Sequence, residues 1–383
     1  MSERQTLLLV LALIYLSECV LWVRRGGVLF RRTWFRWSAR TESEAVQNDR
    51  GDLHWTWPLP PFGDAFVAQG IPFTLGPEGV MNFTATSVHR SGRPLMAPRF
   101  FRWEEIKDIN ISGKILRLNG DEFWRGDTIH EALRLGHMLN ALRKTARAGR
   151  EAAVRERIAT AFSRDAIRKR LEEAADVTRS LRSVSIALFA AVFVISPVAI
   201  VRFGWLPPLL FIVPGVFVLM GVTAWMTRRA HRRLYPEGGD ERFRYVVMIS
   251  LSPVAGTRAT DVVQRAALEG FHPLAVASVL LEAKKFAAFA ATAWRDLKYP
   301  RLPENALSEA PAVADGRWYA GVLAERYAEI LRATGLNPAD FEKAPVKTDP
   351  SHAKYCPRCH GQFTAVASEC RECGGRPLVS FPD

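Results

Sequence analysis

The sequence predicts an α-helical membrane protein that carries a β-rich segment, a helical segment and a small tail organised around a metal ion. Three observations lead there. Two apolar runs of about 20 residues, at 184–201 and 205–226, match the length needed to cross ~30 Å of hydrocarbon, and a third run lies at 6–23. Between residues 62 and 125 the apolar spacing changes from helical to alternating. Four of the five cysteines stand close to the C-terminal end as two C-x-x-C pairs.

The run at 6–23 is broken only by Glu18. A cleaved leader needs a basic start and a small-residue exit, whereas here only Arg4 supplies a basic start and a block of Arg24, Arg25, Arg31, Arg32 and Arg36 follows. Glu18 before Cys19 also argues against a lipoprotein signal, so the run is expected to stay as a signal-anchor helix. Residues 184–226 then form a hairpin divided by Arg202 and a Gly-Trp-Leu-Pro-Pro turn. A core helix of a soluble protein would show a polar face, and neither run has one. Arg179 and Arg182 precede the hairpin, and Arg228, Arg229, Arg232 and Arg233 follow it. All these basic flanks fall on one side if the N-terminus is outside and the bulk of the chain is cytoplasmic. The expected location is therefore the inner membrane, with three spans and an interfacial belt of Trp22, Trp34 and Trp37. Because the flanks supply much of the net charge of +13, that charge is a poor argument for nucleic acid.

Residues 24–61 are expected to be a basic flank and linker. From 62 to 125, short alternating runs are separated by Gly-Pro-Glu-Gly (76–79), Ser-Gly-Arg-Pro (91–94), Ser-Gly (112–113) and Asn-Gly-Asp (119–121). Alternation with turn residues at such intervals predicts an antiparallel, strongly bent sheet. Thr128 with Glu131 makes a capping box for a helix whose face carries Ile129, Leu133, Leu135, Met138, Leu139 and Leu142. The Trp103–Ile106 strand, the Lys114–Leu118 strand after a tight turn, and this closing helix resemble the PH-like domains of bacterial membrane proteins over about 62–145. That resemblance implies a surface for lipid headgroups, peptides or protein segments, and it transfers no individual site residue. Another small sheet closed by one helix fits the same residues.

Residues 146–183 form a charged helical connector with apolar stripes at Val154, Ile158 and Phe162 and at Ile167, Leu171 and Ala174. A basic helix lying on anionic lipid is the alternative reading. Residues 227–345 are Ala-rich, with helical spacing punctuated by Pro253, Pro273, Pro300, Pro303 and Pro338, and predict a cytoplasmic helical bundle.

The tail, 346–383, is a linker followed by Cys356-Pro-Arg-Cys359-His-Gly and Cys370-Arg-Glu-Cys373-Gly-Gly. Each C-x-x-C turn can aim two thiolates at one ion, and the glycine beyond lets backbone amides turn toward sulfur. Two such turns complete a tetrahedral sulfur site, which suits Zn²⁺ better than iron. The stretch resembles zinc ribbons over about 354–380. That resemblance implies a structural ion held by Cys356, Cys359, Cys370 and Cys373, with His352 and His360 close by but not needed. Cysteines used this way point to a reducing compartment.

No G-x-S-x-G, H-E-x-x-H, Walker A or G-x-G-x-x-G motif is present, and no catalytic residue is assigned. The histidines at 54, 89, 130, 137, 231 and 272 are scattered, and His130 and His137 read as capping or packing residues. Arg358, Arg371 and Arg376 form no basic stripe with interleaved aromatics, which disfavours nucleic acid. The expected role is a membrane-anchored scaffold or adaptor that contacts lipid and holds cytoplasmic protein partners. The competing classes are an enzyme acting on lipid or envelope substrate and a membrane-tethered nucleic-acid-binding regulator.

Overall fold

The computed structural model describes residues 2–20, 28–33, 36–41, 62–82, 99–126, 128–204, 206–299, 310–373 and 375–382. The linker at 42–60, the turn at 91–94, Trp22, Trp34, Trp205, Pro300, Pro303, His54 and His89 lie outside the described residues.

Helix α1 (Glu3–Val20) leads to a three-stranded antiparallel sheet of order β2-β1-β3, made of β1 (Val28–Thr33), β2 (Arg36–Thr41) and β3 (Asp64–Ala68). Residues 28–33 and 36–41 were expected within the basic flank and linker, and the structure corrects this: they are paired strands. The arginines obscured an apolar run, Val28-Leu29-Phe30, that buries both faces of the strand. Phe30 sits opposite Phe66 and joins the main core, while Leu29, Ala65 and Val67 form a second small cluster. Even Arg31 is buried.

Two further antiparallel sheets follow: β4 (Thr74–Leu75), β5 (Gly79–Asn82) and β6 (Arg99–Arg102), then β7 (Ile109–Ser112), β8 (Ile115–Leu118) and β9 (Asp121–Arg125). The expected turns are found where they are described. Asn119 (φ 52) and Gly120 (φ 87) make the β8–β9 connection, where two successive positive φ angles favour Asn-Gly. Helix α2 (Ile129–Lys144) starts at Thr128, whose hydroxyl accepts the Glu131 amide at 3.0 Å. It packs on β7 and β8 through Gly136. A Cβ at that position would lie 2.4 Å from Ile111 Cδ1, so a larger residue there would force the Ile111 side chain to shift.

The charged connector is two helices, α3 (Arg147–Ala161) and α4 (Arg164–Ala190). Val154, Ile158, Phe162, Ile167 and Ala174 are buried, so both stripes pack inward. Helix α4 passes through one π turn (Ala191–Ile195) into α5 (Ser196–Phe203). Ser196 donates both its backbone N–H and its hydroxyl to Ala191 O at the end of this turn, just before Pro197, which has no N–H to donate. Helix α6 (Leu206–Leu234) returns.

Among the described residues, two helices are long and apolar enough to cross a membrane, Arg164–Phe203 and Leu210–Leu234. Only 22% of each apolar window is buried, and Val198, Phe203, Phe211, Phe217, Val218 and Trp225 are exposed. A core helix of a soluble protein would bury that surface. The apolar part of α1, Gln5–Ile14, is shorter, and α1 contacts α5 beside the hairpin loop.

Helix α7 (Gly239–Leu251) doubles back along α6, and α8 (Pro253–Thr257), α9 (Ala259–Gln264), α10 (Pro273–Leu280), α11 (Ala283–Lys298) and α12 (Ala310–Ala333) complete the helical segment. These helices and the sheets share one hydrophobic core, in which Phe30, Phe66 and Leu118 belong with Leu139, Ile158, Val276 and Leu331. The turn at 76–79 is where they lock together. Asp315 on α12 accepts the amides of Gly79 (2.8 Å) and Glu78 (3.1 Å). Trp103 Nε1 donates to Gly76 O at 2.8 Å, and Arg150 Nη1 donates to Pro77 O at 3.1 Å.

Candidate metal centre

The tail folds as two small antiparallel pieces. Strands β10 (Lys354–Tyr355), β11 (Gln362–Phe363) and β14 (Val379–Ser380) form one sheet of order β11-β10-β14, and β12 (Glu369–Cys370) pairs with β13 (Arg376–Pro377). Each piece carries one C-x-x-C turn at its end. In the first, His360 N donates to Cys356 O at 2.9 Å, Cys356 N donates to Gly361 O at 2.9 Å, and Gly361 N reaches Cys359 Sγ at 3.4 Å. His360 takes φ 60 to close this turn. In the second, a 3₁₀ turn over Arg371–Cys373 is followed by Gly375 at φ 77, whose amide donates to Cys370 O at 3.0 Å.

The two turns bring Cys356, Cys359, Cys370 and Cys373 together with every Sγ within 4.8 Å of the others, a cluster able to bind a metal ion. The cysteines are free rather than disulfide-bonded. Bonds of about 2.3 Å at tetrahedral angles put neighbouring sulfurs about 3.8 Å apart, and Cys359 Sγ and Cys370 Sγ lie 3.8 Å apart. Cys356 and Cys370 are fully buried and Cys373 nearly so, with Phe363 and Leu378 packed against them. His352 is occupied by its own loop, 3.1 Å from Gln362 Oε1 and 3.4 Å from Thr348 Oγ1. Neither His352 nor His360 belongs to the cluster.

Burial pushes the Cys370 thiol up to about 11, with neighbouring Cys359 and Cys356 adding to the rise. Cys373 is raised by the same causes. Cys356 goes the other way: burial opposes ionisation, but the amides of Cys359 and Arg358 point at its sulfur and hold it below the ordinary thiol range. Four thiolates this close repel one another, and a divalent cation at their centre reverses that balance. The donor set therefore fits a soft or borderline metal.

The cluster is seated on the end of α11. Arg358 Nη2 lies 2.8 Å from Asp296 Oδ1, and Arg295 Nε donates to Arg358 O at 3.1 Å. Arg376 stacks over Tyr299 at 5.3 Å, and Trp294 Nε1 donates to Glu342 Oε1 at 3.0 Å. Two of the three tail arginines that could have met phosphate are thus engaged within the chain. Comparison with protein-family models, characterised proteins and solved structures gives no match.

The histidines divide by environment. His272 is the N-cap of α10, accepts the Leu274 amide at 3.2 Å and stacks on Phe162 at 4.4 Å. Burial drops its imidazole to about 3, so it stays neutral. His137 is exposed. His130, read from the sequence as a capping or packing residue, packs on Tyr235 and His231 and also faces Glu241. His231 and Glu241 lie near the facing ends of consecutive helices, but His130 lies far upstream and the three share no motif, so spacing gave no signal.

Proposed function

We propose that the chain is a non-enzymatic, membrane-anchored adaptor that holds cytoplasmic protein partners at the inner membrane. The observation that carries this reading is the four-cysteine cluster, seated on helices whose core continues to the base of the apolar hairpin. Zn²⁺ held by four thiolates has no position left for water, so it stabilises a recognition surface and does not activate a nucleophile. The β7–β8–β9 meander closed by α2 supports a PH-like module as a second docking surface. Three spans with the N-terminus outside account for the basic flanks and for α1 lying against α5 near the hairpin loop. Anchoring raises the effective concentration of weak partners near the inner leaflet.

Reporter fusions at residues 60 and 345 should both read as cytoplasmic. The adaptor role is tested by removing residues 346–383 and comparing the proteins that co-purify with full-length and truncated chains in mild detergent. Loss of a specific partner is expected. An unchanged partner set, together with turnover of a lipid or envelope precursor by the truncated chain, would overturn the reading.

A further inference from the structure

His130 of α2, His231 of α6 and Glu241 of α7 place one ligand atom each within 4.8 Å of one another. All three side chains turn inward: His130 is 14% exposed and Glu241 7%, and His231 is buried. His130 Nε2, His231 Nδ1 and Glu241 Oε2 are buried, and no hydrogen bond reaches any of them. A buried polar atom without a partner costs about 1–3 kcal/mol, so three facing one another call for a shared occupant. His130 Nε2 and Glu241 Oε2 lie 3.8 Å apart, too far for a hydrogen bond. Two donors on one ion at about 2.0–2.1 Å and tetrahedral angles would be separated by about 3.3–3.4 Å. A small rotation of the side chains closes that gap.

The surroundings are built for this arrangement. Tyr245 Oη donates to Glu241 Oε1 at 2.8 Å, which holds the carboxylate and leaves Oε2 facing the imidazoles, as partners of metal-bound carboxylates do. Arg242 is the nearest cation along the chain, but its Nη2 donates to the carbonyls of Tyr235 and Pro236 at 2.9 and 3.2 Å. Gly238 makes room: a Cβ there would lie 1.9 Å from His130 Nε2. Tyr235 packs against both imidazole rings, at 5.2 and 4.8 Å.

We propose that His130, His231 and Glu241 bind a second metal ion, a divalent transition metal of the Zn²⁺ class, which pins the helix closing the β segment to the cytoplasmic base of the hairpin. Two imidazoles and one carboxylate select such an ion over Mg²⁺ or Ca²⁺, which take oxygen donors. The fourth position falls to water. This site is independent of the four cysteines.

The test uses the full chain in mild detergent, stripped with a chelator and refilled with Co²⁺. Two equivalents are expected. One shows thiolate-to-cobalt charge-transfer bands; the other shows only the weaker d–d bands of nitrogen and oxygen ligation. Glu241→Gln keeps an acceptor for Tyr245 and should lose the second equivalent while retaining the thiolate bands, which also report that the chain is folded. His231→Ala should behave alike, and Cys370→Ser should show the reverse loss. One equivalent without thiolate bands supports this site and counts against the cysteine cluster. A single thiolate-ligated equivalent in the unmodified chain, or two equivalents in both Glu241→Gln and His231→Ala, would overturn the proposal.

Discussion

Replacing Cys373 with serine removes one corner of the sulfur tetrahedron. Among the described residues, Phe363 and Leu378 pack against the sulfurs, both partly buried, and Tyr355 and Phe381 pack on each other at 5.1 Å. At about 1.5–3 kcal/mol for a fully buried apolar side chain, these four groups contribute several kcal/mol together. A structural zinc ion contributes on the order of 10 kcal/mol, so the ion dominates the fold of residues 354–382. The hairpin and sheets have their own core and do not share these side chains. The expected result is loss of one metal equivalent and of amide protection across 354–382, with protection of α4, α6 and β7–β9 unchanged. Elemental analysis and hydrogen exchange on the detergent-solubilised chain read both. A tail that keeps its protection in Cys373→Ser at unchanged metal content would refute the reasoning, as would an unmodified chain that binds no metal there.

Asp296→Ala breaks the pair with Arg358 and should loosen the seating of the tail by up to about 1 kcal/mol, since Asp296 is half-exposed; proteolysis between 343 and 353 should quicken while metal content holds. Gly136→Ala forces a Cβ to within 2.4 Å of Ile111 Cδ1 and should cost about 1–3 kcal/mol, read as a lower melting temperature. Burial raises the Asp315 carboxyl to about 6 from its ordinary 3.8, against the pull of the Gly79 and Glu78 amides. Between about pH 4 and 6 the folded chain therefore holds a proton that the unfolded chain has released. Asp315 contributes its full stability below about pH 4 and loses it as pH rises through about 6. Melting temperatures of the parent and of Asp315→Asn should converge or cross over that window, and a difference that does not vary with pH would rule this out.

Local chemistry was legible residue by residue. The Asn119-Gly120 turn, the Thr128 cap, the stripes of α3 and α4 and the apolar length of α4–α5 and α6 are short-range properties, set by φ preference, side-chain reach and helical period. The sulfur cluster was legible for the same reason, because each pair of thiols is positioned by a turn of a few residues. Strands β1 and β2 were not, since an arginine-rich run pairs only when a partner strand and a core exist to bury Val28 and Phe30. Nor could spacing show that Asp315 closes the turn at 76–79, or that His130, His231 and Glu241 meet. Those juxtapositions join elements far apart in the chain, and only packing around a common core brings such side chains within bonding distance.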